Sequence, residues 1–251
     1  MPAAARHSIF RAMKSWRFFP GVALGLLMAG AAAGVGLYLG LWNPNMFTAM
    51  AYPIHGIDVS HHQGAIDWRA AARDRVEFAY IKATEGRDFV DSRFAANWKN
   101  AAAAGIPRGA YHFFSPRSPG REQARHFLSV VPADPAALPP AVDLEFDTGG
   151  PDSPRVADFR VELDAFLSAV REARGSEPVI YTTREFYGHY LSRNPPPRLW
   201  LRDIVQRPKW TPAPWTFWQY ASRGRIRGVP GYVDLDAFVG DLRKFKAFAR
   251  E

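Results

Sequence analysis

Ala141-Val142-Asp143-Leu144-Glu145-Phe146-Asp147 alternates apolar side chains with carboxylates. In a strand, successive side chains point to opposite faces, so Asp143, Glu145 and Asp147 would share one face and Val142, Leu144 and Phe146 the other. Like charges about 7 Å apart raise one another's pKa, and charged groups are rarely buried without partners. Such a strand is either an edge with a wet face or the floor of an active site.

Working outward from it, short apolar runs alternate with amphipathic stretches. Strands are expected at 76–82, 109–114, 141–146, 178–182, 198–204 and 216–221, with a further strand ending at Asp58 in Gly-Ile-Asp-Val-Ser. Helices are expected at 92–104, stopped by Gly105, at 119–130, at 154–173, capped by Ser153, and briefly at 184–191. Strands alternating with helices imply parallel pairing, an α/β class, and seven or eight strands in a closed or nearly closed barrel. The proline-rich segments 194–197 and 208–214 leave little room for late helices, so the barrel should be irregular.

The chain has 251 residues, 47% of them hydrophobic, enough for one sizeable core plus an appendage. There are no cysteines, which excludes disulfides, thiolate metal sites and a cysteine nucleophile. The net charge of +8 favours an acidic partner such as an anionic polymer or lipid. Its arginines and lysines are dispersed and form no recognised nucleic-acid motif, so no nucleic-acid partner is expected.

Residues 1–19 carry Arg6, Arg11, Lys14 and Arg17 and no acid, and 20–42 is uncharged and long enough to span a bilayer. The positive-inside rule then predicts an N-in, C-out signal anchor. The small residues at 29–34 also suit a signal peptidase, but the apolar run exceeds a usual h-region. The expected organisation is a basic cytoplasmic tail (1–19), a transmembrane anchor (20–42), a linker (43–54) and a folded domain (55–251) in the periplasm or otherwise outside the cytoplasm, secreted if the anchor is cleaved.

Polar residues cluster at the C-terminal ends of the expected strands: Asp58, Lys82, Tyr111, His112, Asp143, Glu145, Tyr181 and Gln219. In parallel α/β folds that rim holds ligands and catalytic groups. Carboxylates with aromatics, and no phosphate-binding glycine loop, suit glycoside hydrolysis, in which one carboxyl protonates the leaving oxygen and another supports the cationic centre. Trp200, Trp215, Trp218, Tyr181 and Tyr220 are available to stack on sugars, with core packing the competing role, above all for Trp200. His112 is equally a rim residue or a base. His61 and His62 read as hydrogen-bonding loop groups, and no metal or cofactor is expected. Asp147 reads as solvated or as a helix cap.

At these residues the chain resembles the family 25 glycoside hydrolases, the Chalaropsis-type lysozymes. The matching pieces are GIDVSHHQG (56–64), FAYIKATEG (78–86), GIPRGAYHFF (105–114), DLE (143–145), VIYT (179–182), LWLRDI (199–204), FWQYASRGRIRGVPG (217–231) and VDLDAF (233–238). The resemblance implies a flattened TIM-like β/α barrel acting on peptidoglycan glycan strands, as an N-acetylmuramidase cutting between N-acetylmuramic acid and N-acetylglucosamine. It places the general acid on Glu145, with Asp143, Asp58 and Asp234 as companion carboxylates. Asp236 stands where the family often has asparagine and is the lesser candidate. Tyr111, Tyr181, Trp218, Gln219, Lys82 and His112 are the expected substrate-binding residues of a monomeric domain. The Asp143–Glu145 spacing leaves open a direct nucleophile or assistance by the substrate's 2-acetamido group. A silent glycan-binding barrel is the alternative, and a cluster of four acids argues against it.

Overall fold

The computed structural model describes residues 19–146 and 154–251, so the expectations on Asp147 and Ser153 lie outside the described residues. The chain divides into two units, residues 1–42 and 43–251. The described part of the first is α1 (Phe19–Tyr38), apolar and uncharged. At 1.5 Å per residue its 20 residues are about 30 Å long, so by length and composition it can cross a membrane.

The second unit is an eight-stranded barrel. In chain order the strands are β1 (Ile54–Val59), β2 (Phe78–Glu85), β3 (Phe89–Val90), β4 (Arg108–Phe113), β5 (Ala141–Leu144), β6 (Val179–Thr183), β7 (Leu199–Arg202), β8 (Phe217–Gly224) and β9 (Val233–Phe238). The sheet runs β1-β9-β8-β7-β6-β5-β4-β2-β3 and closes by β1 pairing with β2, while β3 is a hairpin partner of β2 outside the ring. The expectation of parallel pairing holds from β1 through β8, but β9 is antiparallel to both β8 and β1.

The strands of the ring have two buried faces, whereas β3 is exposed. Outward residues such as Ile81, Val142, Leu144 and Leu201 pack in one cluster with Trp68 of α3 (Trp68–Arg73), Phe94 of α4 (Phe94–Ala103), Phe127 of α5 (Gly120–Val130) and Phe166 of α6 (Val156–Arg174), while the one-turn α2 (Met46–Ala49) lies elsewhere. A second cluster joins Phe78, Tyr80, Trp200, Phe217 and Phe238 to Phe245 and Phe248 of α8 (Leu242–Phe248). The rings interlock at centroid distances of 5.0 Å for Tyr80–Trp200 and 5.1 Å for Phe78–Phe217. Gly109 makes room for this plug, because a Cβ there would stand 2.3 Å from the Tyr80 ring.

The late part of the barrel carries little helix, as the prolines predict. Between β6 and β7 there is only α7 (Arg184–Phe186), running into a single π turn over Tyr187–Leu191. Antiparallel β8–β9–β1 needs no crossover helix. That leaves the outer face of β8 and β9 to be covered by something else.

The cover is the segment expected to be a linker. Residues 43–53 belong to the folded unit and contain the one-turn α2 (Met46–Ala49). Ala49 packs in a cluster with Trp218, Tyr220 and Ala237, and Tyr52 sets its edge on Trp218 at 5.9 Å. Asn45, 1% exposed, donates from Nδ2 to the carbonyls of Tyr220 (2.9 Å) and Asp203 (3.1 Å). Replacing Asn45 by alanine strips two carbonyls of their donors, and we expect a loss of about 1–3 kcal/mol in urea unfolding of residues 43–251. An unchanged midpoint would show the segment to be dispensable.

Candidate active site

The C-terminal ends of the parallel strands and the start of antiparallel β9 lie at the same end of the barrel. Asp58 on β1 is accordingly the register partner of Asp234 on β9. Asp143 is the penultimate residue of β5, and Glu145 directly follows the strand. The plug of rings fills the interior below them. Above it opens a cleft of about 530 Å³, lined by Asp58, Asp143, Glu145 and Asp234 with Lys82, Tyr111, Tyr181 and Gln219.

Two expected binding residues are elsewhere. Period-two alternation turns His112 outward from its neighbour Tyr111, where it is fully buried, stacked on Phe166 at 4.9 Å. Gln123 gives its Nε2 hydrogens to the Ser115 and Ser118 carbonyls, so its Oε1 is the acceptor for His112 Nε2–H at 3.1 Å. His112 Nδ1 then accepts from the Thr84 hydroxyl at 2.7 Å, and burial holds the ring neutral, its pKa pushed down to about 3. Trp218 likewise points away from the cleft, opposite to Gln219, and donates its Nε1–H to the Asp203 carbonyl. Both are packing residues. Of the other aromatics offered for stacking, Trp200 reaches the cleft although only 2% of it is exposed, while Trp215 and Tyr220 belong to the outer face of β8.

Other residues enter the site that the sequence did not single out. Arg202, the last residue of β7, lines the cleft, as do Phe113 and Phe146, the latter 43% exposed. Lys82 is held by Glu85 at 2.6 Å and lies over the Phe113 ring at 4.9 Å. His62 also lines the cleft, whereas its neighbour His61 is bound through Nδ1 to buried Asp91 at 2.8 Å.

Among the described residues lining the cleft, Lys82 and Arg202 are the only lysine and arginine, against four carboxyls. Burial therefore dominates the titration of every acid. It raises Asp58 to about 6, opposed by the hydrogen bond from Gln219. It raises Asp234 to about 9, helped by the charge of Asp58 and opposed by Arg202. Asp143 is pushed well above the usual carboxylate range by burial and then by Glu145 and Asp58. Glu145 is raised by burial and held back by Arg202 and Lys82. Such a group shares its protons, and its apparent pKa values belong to the set.

Asp58 is held from one side by a relay: Tyr181 donates its hydroxyl to Gln219 Oε1 at 3.0 Å, which orients Gln219 Nε2 to donate to Asp58 Oδ2 at 2.7 Å. One oxygen of Asp143, Oδ1, is buried without a hydrogen-bond donor. A carboxyl so placed is neutral or awaits a donor from a ligand.

This arrangement has relatives. Lysozyme M1 of Streptomyces globisporus is 36% identical over 215 residues, covering 78% of this chain and 71% of that protein. YegX of Escherichia coli strain K12 is 38% identical over 208 residues, covering 79% and 74%. The structure of a family 25 glycosyl hydrolase from Bacillus anthracis superposes with a TM-score of 0.76 at 37% identity, covering 79% of this chain and 94% of that one. The sequence profile of the glycosyl hydrolases of family 25 matches residues 57–229, and with the barrel and its acidic cleft this shows that the chain belongs to that family.

Proposed function

We propose that the cleft hydrolyses the β-1,4 bond between N-acetylmuramic acid and N-acetylglucosamine in peptidoglycan, with Glu145 as the proton donor. What carries the assignment is the pair of carboxyls on one strand end at different depths. Glu145 lies nearer the open cleft and has its proton favoured by burial, while Asp143 sits deeper beside it. A general acid must reach the leaving oxygen before its pKa matters.

In the reaction Glu145 passes its proton to the glycosidic oxygen as that bond breaks. Positive charge develops on the sugar ring and is met by the carboxylates of the cleft. Asp143 either attacks the anomeric carbon or orients the substrate's 2-acetamido oxygen to do so, and water, deprotonated by Glu145, completes the hydrolysis. Asp58 and Asp234 supply the remaining negative field. Tyr111, Tyr181 and Gln219 border the sugar, and Tyr111 stays a neutral phenol because burial and the surrounding carboxylates raise its pKa.

We further propose that α1 anchors the enzyme with its barrel outside the cytoplasm, N-in and C-out, which suits remodelling of the cell's own wall. The helix's length and apolar composition and the basic residues before it support this.

Three outcomes are expected. Glu145→Gln lowers release of reducing ends from purified sacculi by about 10²- to 10⁴-fold with an unchanged circular dichroism spectrum; full activity would reject the assignment, and new reducing ends on glucosamine would indicate a different bond. Arg202→Met removes a cation that favours the ionised forms of Asp58, Asp234 and Glu145, so their pKa values rise and both limbs of the pH profile of kcat/KM move to higher pH. The full chain sediments with membranes while residues 43–251 remain soluble, and recovery of a shortened form from the medium would contradict the anchor.

A further inference from the structure

The barrel interior holds a fifth carboxyl that the reaction above does not use. Asp236 lies on β9 two residues beyond Asp234, fully buried at 0% exposure, and it does not line the cleft. Its strand partners are Gly56 and Gln219, which sets it one pleat below Asp58 and Asp234 on the same inward face. Oδ1 accepts the indole N–H of buried Trp200 at 2.8 Å, and no N–H or hydroxyl of another residue reaches Oδ2. Asp58 and Asp236 are diagonal neighbours on that face, so their carboxyls are within reach of each other, and Oδ2 of Asp236 is buried without a partner.

Two buried carboxyls this close resist being ionised together, and a buried carboxyl oxygen without a donor is satisfied when it carries the proton itself, so one of the two is an acid. The donors around them decide which. Asp58 receives Gln219 Nε2–H, and it borders the open cleft. Asp236 has only the indole and sits deeper. Resting on the hydrolase reading, we propose that Asp236 is a positioning residue that works in its protonated form, donating to Asp58 while Trp200 holds it in line, and so keeps Asp58 ionised and aimed into the cleft.

The titration behaviour agrees in direction. Asp236 is raised well above the usual range by burial first, then by the charges of Asp58 on β1 and Asp234 on its own strand, whereas Asp58 rises only to about 6. The other ionisable groups around it, Tyr80 on β2 and Tyr220 on β8, have raised pKa values and are neutral phenols, so neither competes for the proton. Asp58 is then the meeting point of two relays, Tyr181–Gln219 and Trp200–Asp236.

The test compares Asp236→Leu with Asp236→Asn in the full chain, using reducing-end release against pH. Leucine fills similar space without a donor. It should lower kcat/KM roughly 10- to 100-fold, the rate equivalent of one hydrogen bond to a charged group. It should also move the acid limb to higher pH, because the Asp58 anion has lost a donor. Asparagine can donate its amide hydrogen to Asp58 and accept from Trp200, and should recover most of that loss. Infrared difference spectra of wild type minus Asp236→Asn near neutral pH should contain the C=O stretch of a buried carboxylic acid, a readout that stands even if the leucine variant does not fold. The inference falls if asparagine is as damaging as leucine, which would mean that Asp236 works as an anion. It falls equally if leucine leaves the pH profile unmoved, or if no acid band is lost. A wild-type chain that releases no reducing ends would instead overturn the hydrolase reading, while the acid band would still report on the proton.

Discussion

Everything at this barrel's upper end follows from putting five carboxyls into one poorly solvated space with two cations beside it. Asp58, Asp143, Glu145, Asp234 and Asp236 are all driven toward their neutral forms by burial, and Lys82 and Arg202 are too few to reverse that. Lys82 is moreover engaged by Glu85. Protons therefore stay in the site at pH values where isolated carboxyls have lost them. A glycosidase needs this condition, because the same cluster must offer one acid and at least one anion. Donors sort the roles: Asp58, which accepts from Gln219, rises less than Asp234, and the charges of Arg202 and Lys82 hold Glu145 back.

The antiparallel turn of β9 makes the cluster possible. In an all-parallel barrel the last strand would bring its own C-terminal end to the rim. Reversal brings the start of β9 there instead, so Val233–Phe238 places Asp234 opposite Asp58 and Asp236 one pleat deeper. The same reversal removes the crossover helix that would cover β8 and β9. The chain replaces it with residues 43–53, tied down by Asn45 and Tyr52. The covering segment thus continues directly from the end of the first unit, and Trp218 serves as its docking surface.

This explains what could be read in advance. Asp143 and Glu145 were visible because alternation along one strand exposes its own logic, and Asp58, Tyr111, Tyr181 and Gln219 because parallel strands present their C-terminal ends. Asp234 obeys the opposite rule, and only resemblance to a family pointed to it. The two misplaced residues violate the period that found the others. His112 adjoins Tyr111 and Trp218 adjoins Gln219, and neighbours on a strand cannot both face the cleft. Arg202 was within reach of the rim argument, since it ends β7, but a strand-end arginine is common on solvated surfaces. Residues 43–53 gave no signal at all: a one-turn helix has no period, and a buried asparagine is indistinguishable in sequence from a loop asparagine.

The site also sets a condition on the fold beneath it. A carboxyl whose folded pKa lies above its unfolded value stabilises the fold fully below the unfolded value, and that contribution is lost as pH rises through the folded one. For Asp234 the window runs from 3.8 to about 9, and for Asp58 from 3.8 to about 6. At neutral pH the acids together oppose folding, since unfolding lets them release the protons that burial makes them keep. The lower half of the barrel is built to offset this. Phe78, Tyr80, Phe217 and Phe238 with the two phenylalanines of α8 fill it without a charged group, and Trp200 joins the halves by packing its tilted ring against Tyr80 while giving its indole hydrogen to Asp236. An apolar floor that excludes water raises the carboxyls' pKa values and at the same time holds the strands that carry them. In this barrel the electrostatic strain of the site and the packing that tolerates it have a common origin.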